Sequence, residues 1–214
     1  MEPREFHWPM SAVYSRFFAR LMEPAYAQAA RKIAVPQHAS TLLDIGGADG
    51  RLAIALARRY PHLTRIVTAD ISQDLVARAR RKAEQHGLSG KIDPQVQDVH
   101  KLSYADNSFD MVISFGSLHH WRDPLRGLHE SCRVLKPGGT LAIYDGNGRV
   151  SFRDIREEVS LVDGSSIWTV LVYWIGSRDF LDRHELARIV RQADIGFISI
   201  SENGPVCHIG GVKQ

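Results

Sequence analysis

The run from Thr41 to Leu56, TLLDIGGADGRLAIAL, constrains this chain more than any other stretch of it. Five mostly apolar, β-favouring residues, Thr41-Leu42-Leu43-Asp44-Ile45, pass into Gly46-Gly47-Ala48-Asp49-Gly50, after which Leu52, Ala55 and Leu56 recur on one helical face. The pattern reads as a strand, a tight turn and a helix. Glycines suit such a turn for two reasons: the chain must reverse within a few residues, often with φ > 0, and a ligand can approach bare backbone where no Cβ stands. The helix start adds unpaired N–H groups and the positive end of a dipole. An ordinary β-to-α connection uses the same residues, so a ligand reading needs a second observation.

That observation is a second β run, Arg65-Ile66-Val67-Thr68-Ala69-Asp70, which ends in an acid. In a doubly wound sheet the carboxyl ends of neighbouring strands lie side by side, and an acid there can take both hydroxyls of a ribose. The spacing points to a nucleoside ligand. The full G-x-G-x-x-G pattern is missing, which argues against NAD or FAD.

With these motifs the chain resembles the class I S-adenosylmethionine-dependent methyltransferases, in particular their small-molecule branch. Their first motif, roughly D-x-G-x-G-x-G, stands here as Asp44-Ile45-Gly46-Gly47-Ala48-Asp49-Gly50. The resemblance runs on through Asp70, through Asp98 to His120, and through Arg133-Val134-Leu135-Lys136-Pro137-Gly138-Gly139, covering residues 39–145. It implies S-adenosylmethionine as cofactor, bound by Asp44, Gly46, Gly47, Ala48, Asp49, Gly50, Asp70, Ile71, Asp98, Val99, Ser114 and Phe115. Within that set Asp70 would hold the ribose diol, Asp98 would accept the adenine amino group, and Val99 would offer its backbone N–H to the ring. Ala48 departs from the pattern by standing where the family has its middle glycine, and its methyl narrows the approach to the backbone.

A chain of 214 residues with 44% hydrophobic content can bury one sizeable core, so one domain over 1–214 is the expectation. Within it we read a helical arm or lid over 1–38, a cofactor-binding core over 39–146, an acceptor-side insertion over 147–181, and a closing helix and hairpin over 182–214. The formal net charge is +3, with basic residues dispersed over helix faces, so nucleic acid is not an expected partner. Cys132 and Cys207 have neither disulfide-framework nor zinc spacing. No signal-peptide core and no membrane-length apolar run occur, which leads to the expectation of a cytoplasmic protein without membrane insertion. The expected partner is a small-molecule acceptor, with a homodimer left open.

Read in order, Tyr14, Phe17, Phe18, Leu21 and Met22 repeat at helical spacing, and a second helix spans Ala25 to Ala34. Ser72 is an N-cap for a helix with Leu75, Ala79 and Ala83 inward, ending near Gly87. Lys91 to Val99, interrupted by Pro94 and closed by Asp98, suits an edge strand. Phe109 to Phe115 is a strand buried on both faces. A helix with Leu125, Leu128, Cys132 and Leu135 inward is stopped by Lys136-Pro137-Gly138-Gly139. Thr140 to Tyr144 is the fifth strand, with Asp145 to Gly148 as its loop. Ser151 caps a further helix, and 167–175 is ambiguous between strand and helix. Asp182 to Glu185 reads as a capping box, and Phe197 to Ser201 with Val206 to Val212 as a closing hairpin. The fold class is therefore α/β, a doubly wound, Rossmann-like, mainly parallel seven-stranded sheet with helices on both faces and a C-terminal antiparallel hairpin.

The reaction expected is methyl transfer to a small molecule, in which alignment of the nucleophile behind an activated methyl supplies most of the catalysis. A general base is optional. On the acceptor side His119 is the candidate base, with Tyr14, His120 and Trp168 as candidate substrate contacts. The same His pair can serve as a turn or a cofactor wall. No catalytic dyad and no metal site are visible in the sequence. A non-catalytic partner subunit with the same fold is the alternative, and a hydride-transfer enzyme is disfavoured because no Tyr-x-x-x-Lys dyad appears.

Overall fold

The structure is a computed structural model and describes residues 23–146, 181–203 and 206–214. The described elements are α1 (Glu23–Lys32), β1 (Thr41–Ile45), α2 (Arg51–Arg59), β2 (Arg65–Asp70), α3 (Gln73–Gln85), β3 (Ile92–Val96), β4 (Phe109–Phe115), a 3-10 turn (Leu118–His120), α4 (Pro124–Val134), β5 (Leu135–Gly146), α5 (Arg183–Ala193), β6 (Ser199–Asn203) and β7 (Val206–Val212). The seven strands form one sheet in the order β3-β2-β1-β4-β5-β7-β6. β1 to β5 pair in parallel, whereas β7 runs antiparallel to both β5 and β6. The strand order reverses between β1 and β4, and a crevice outside the strand carboxyl ends belongs at such a switch point.

Alternation along the parallel strands sorts the core into two layers. Leu42, Ile66, Met111, Ile113 and Ala142 face α1 and α2, while Leu43, Val67, Val112, Leu141 and Ile143 face α4 and α5. Burial on both faces explains why these strands read as near-continuous apolar runs. Ser72 caps α3 by accepting from the Leu75 N–H, and Asp182 and Glu185 close the expected capping box on α5. At the other end of the sheet Asp110 fastens β4 to β1: its Oδ2 accepts from the amides and hydroxyls of Ser40 and Thr41, and its Oδ1 from Lys136 Nζ. Lys213 Nζ donates to the carbonyls of Cys132, in the last turn of α4, and Leu135, at the start of β5.

Several expected boundaries move. Lys136 to Gly139 does not separate a helix from a strand: α4 ends at Val134 and β5 already begins at Leu135, with a register shift opposite Phe109 and Met111. Leu135 is thus a strand residue. Asp145 and Gly146, expected in a loop, extend β5 because β7 supplies them with ladder partners, Cys207 and Val206. β3 stops at Val96, leaving Asp98 and Val99 beyond the strand, since Pro94 and the sheet edge offer it only one neighbour. In α3 it is Val76 that is buried with Ala79 and Ala83, and Leu75 lies toward the rim. The hairpin forms, with its first strand at Ser199–Asn203 instead of Phe197 to Ser201. The helices expected around Tyr14 and from Ser151, and the segment 167–175 with Trp168, lie outside the described residues.

Candidate cofactor and methyl-transfer site

The glycine turn hangs from β1 and is tied to β2. Gly46 and Gly47 both donate their N–H to the Ala69 carbonyl, and Asp70 Oδ2 accepts from the Ala48 N–H at 3.0 Å. Asp70 Oδ1 accepts from the Ser72 N–H at 2.9 Å, so one carboxylate joins the turn to the start of α3. The two glycines are required by space. A Cβ on Gly46 would lie 2.3 Å from Ser117 Oγ, and one on Gly47 would lie 2.0 Å from Thr68 Oγ1. Ala48 adopts φ 47°, a left-handed conformation that glycine takes without strain.

Three acids converge there. Asp44 is 1% exposed and receives only a long hydrogen bond, 3.4 Å, from Thr68 Oγ1. Burial, opposed by that bond and reinforced by the nearby Asp70 charge, pushes its carboxyl up to about 7. Burial likewise raises Asp70, against the opposing bonds from Ser72, Ala48 and Ile71. Asp49 is engaged by Lys82 Nζ from α3 and by Arg51 Nε, so the carboxylate at the helix start has an ion-pair partner that the linear sequence does not reveal.

Tyr26 was also beyond sequence reasoning. Its phenol is pushed up to about 12, first by burial and then by the charges of Asp49, Asp44 and Asp70. Its ring lies 6.1 Å from that of Phe115. A tyrosine among alanines on a short helix was the only available signal. Ile71 stands 71% exposed directly after Asp70.

On the β4 side Ser114 is fully buried, and its hydroxyl meets that of Ser117 at 2.8 Å. It delivers no side chain to the rim surface. Ser117 Oγ accepts from Trp121 Nε1 and donates to the Ile45 carbonyl, which joins the turn after β4 to the glycine turn after β1. The 3-10 turn then carries His119 and His120, with ring centroids 3.9 Å apart. His119 donates its N–H to Asp145 Oδ2 at 2.8 Å, and its Nδ1 lies 2.8 Å from Asp145 Oδ1. A carboxylate only accepts, so Nδ1 carries the proton and the basic lone pair is on Nε2. No sign of this pairing is visible in the sequence; the fold makes it between the turn after β4 and the end of β5. On the far side of the crevice Asp98 and Val99 follow β3, with Asp98 side-chain bonded to His100. Of the anticipated site, Asp44, Gly46, Gly47, Ala48, Asp49, Gly50, Asp70, Ile71, Asp98, Val99, Phe115, His119 and His120 thus lie along the strand carboxyl ends, while Tyr14 and Trp168 are outside the described residues.

Nothing in this arrangement requires a metal, and no group of metal-ligating side chains occurs among the described residues. What it offers is a tight glycine turn, the buried Asp44, the partly exposed Asp70 and the exposed Ile71, which suit a ribose, an adenine and a positively charged donor. Comparison with known proteins agrees. Residues 43–143 match the family model described as a methyltransferase domain. A ubiquinone/menaquinone biosynthesis C-methyltransferase of Hydrogenovibrio crunogenus is 37% identical over 107 residues, 50% of this chain and 42% of that protein. A demethylmenaquinone methyltransferase of Porphyromonas gingivalis is 30% identical over 148 residues, 69% of this chain and 55% of that protein. The chain thus spans about half the length of the curated relatives it matches. For fold alone, a solved protein of Methanococcus maripaludis assigned to the S-adenosyl-l-methionine-dependent methyltransferases superposes with a TM-score of 0.73 at 23% identity, covering 94% of this chain and 89% of that one. Residues 43–143 thus carry a methyltransferase domain, and the motif, the sheet order and these matches together support a class I S-adenosylmethionine-dependent methyltransferase with S-adenosylmethionine as its cofactor.

Proposed function

We propose that the protein transfers the methyl group of S-adenosylmethionine to a small-molecule acceptor, with His119 as the general base and Asp145 as the residue that orients it. The observation that carries this reading is the pair of hydrogen bonds between the two residues, each 2.8 Å, at the carboxyl ends of β4 and β5. In the cofactor half, Asp70 takes the ribose diol, Asp98 and the Val99 N–H take the adenine edge, and Ile71 packs on the ring. The glycine turn, Asp44, Asp49 and Phe115 line the donor end. The cofactor supplies an activated methyl group; the chain has to align the acceptor, exclude water and take one proton.

His119 serves an oxygen or a carbon acceptor equally, since either must lose a proton as the new bond forms. The two curated relatives carry quinone-related names, which favours a phenolic or quinol-like ring as the acceptor class. His120 and, from the lid and insertion we assign to 1–38 and 147–181, Tyr14 and Trp168 would then contact that ring. Cys132 and Cys207 are both buried and lack disulfide-framework spacing, and we also propose a cytoplasmic setting. No helix among the described residues is long and apolar enough to cross a membrane.

The direct test is formation of S-adenosylhomocysteine with a panel of phenols and quinols, alongside calorimetry on Asp70→Ala. Loss of the charge-assisted bonds to the ribose is expected to weaken cofactor binding by about 1.5–3 kcal/mol. Unchanged affinity in a folded Asp70→Ala protein would remove the ribose assignment, and no turnover across the panel would remove the acceptor class.

A further inference from the structure

Beyond β3 the chain places a buried imidazole between two polar groups that it alone connects. His100 Nδ1 lies 2.5 Å from Asp98 Oδ1, which also accepts the His100 N–H at 2.9 Å. On the opposite edge His100 Nε2 faces the N–H of Asp123, the N-cap of α4, at 3.0 Å. An amide N–H can only donate and a carboxylate can only accept, so the ring is held as the neutral Nδ1–H tautomer. Both ends are thereby satisfied, and the buried ring, together with the backbone N–H of the same residue, holds Asp98 in place against the start of α4.

Asp98 spends only Oδ1 on this bond. Its side chain is 41% exposed, and Oδ2 accepts no hydrogen bond among the described residues. Partial burial would raise the Asp98 carboxyl, but the two His100 bonds and the charge of Arg122 hold it below its ordinary range. Oδ2 is therefore an acceptor and never a donor under ordinary conditions. Two residues before Asp98, β3 ends on the exposed Val96. Ile71 and Val96 are among the few large aliphatic side chains left exposed, and they are neighbours because β2 pairs Asp70 with Val96 and the Gln97 N–H donates to the Asp70 carbonyl. A rigid carboxylate oxygen at the border of an exposed aliphatic strip fits a flat ring that carries a donor at its edge.

We propose that His100 is the positioning residue for cofactor recognition: it fixes Asp98 so that Oδ2 accepts from the adenine amino group, and so makes the site discriminate an amino from an oxo substituent on the purine. The proposal rests on the adenine role of Asp98 given above. With Asp98 locked, an oxo group would set acceptor against acceptor with no rotation to relieve it; with Asp98 loose, the carboxylate can swing to water and the penalty fades. His100 thereby acts on ligand choice without touching the ligand.

The two edges of the imidazole can be tested separately. His100→Asn keeps a donor where Nδ1 stands, and His100→Gln keeps an acceptor where Nε2 stands. Calorimetry of the full chain with S-adenosylhomocysteine and with S-inosylhomocysteine reads the discrimination, and thermal melting reads the α4 end. The parent is expected to prefer the adenosyl compound by about tenfold or more, a factor that one charge-assisted hydrogen bond supplies. His100→Asn should hold that preference within about threefold while melting lower; His100→Gln should melt near the parent but fall to a preference of about two- to threefold. Full discrimination in His100→Gln, or its loss in His100→Asn, would overturn the positioning role. A parent that binds both compounds equally would instead remove the adenine reading of Asp98, and this proposal with it.

Discussion

Asp145 holds His119 at two points, accepting the backbone N–H on Oδ2 and the imidazole Nδ1–H on Oδ1, although the residues stand 26 positions apart in the chain. Asp145 Oδ1 also accepts the Gly146 N–H, so the carboxylate is itself fixed within β5. The geometry suits the base role we propose for His119, with its tautomer set from behind. His119→Ala should lower methyl transfer by about 10²-fold or more and leave cofactor affinity near that of the parent. Asp145→Asn should also lose rate, because an amide N–H would favour protonation of the imidazole at Nε2. Initial rates and calorimetry on the three proteins check this, and equal rates would leave alignment and desolvation as the whole mechanism.

Asp44 predicts an unusual pH response. Burial raises its carboxyl to about 7 in the folded protein, against 3.8 ordinarily, so between those values the folded chain holds a proton that the unfolded chain has released. Its stabilising contribution is complete below about pH 4 and is lost as the pH rises through 7. Asp44→Asn should remove this slope, so the parent should lose on the order of a few kcal/mol relative to the variant between pH 4 and pH 8. Urea unfolding of both proteins at several pH values measures the difference directly. Parallel curves would show that Asp44 titrates as an ordinary surface acid.

The turn should tolerate one change and reject its neighbours. Gly46→Ala would drive a Cβ into Ser117 at a residue with φ 70°, and Gly47→Ala would drive one into Thr68. Each should cost roughly 3 kcal/mol or more, or prevent cofactor binding. Ala48→Gly relieves a left-handed alanine while loosening the unfolded chain, two effects of about 1 kcal/mol and opposite sign. Its stability should therefore change by no more than about 1 kcal/mol, and its cofactor affinity should hold or rise. Thermal denaturation with and without S-adenosylhomocysteine separates these outcomes.

The sequence by itself determined the cofactor half of the protein. The strand of Thr41 to Ile45, its glycine turn, the acid at Asp70, the Ser72 cap and the Pro94 edge strand are all short-range patterns, in which periodicity, turn chemistry and capping act within a few residues. They survive because the parallel sheet reinforces every one of them. The tertiary structure alone decided the rest: that Asp145 belongs to a strand and reaches His119, that Lys82 and Arg51 engage Asp49, that the Tyr26 ring meets that of Phe115, and that His100 spans Asp98 and Asp123. Most of these pairings join separate elements, and their existence depends on register and crossover. β5 gains its last two residues only because β7 arrives antiparallel from the end of the chain to pair with them. Strand pairing of that range leaves no local trace in composition or spacing, so the chemistry it assembles becomes visible only once the sheet is closed.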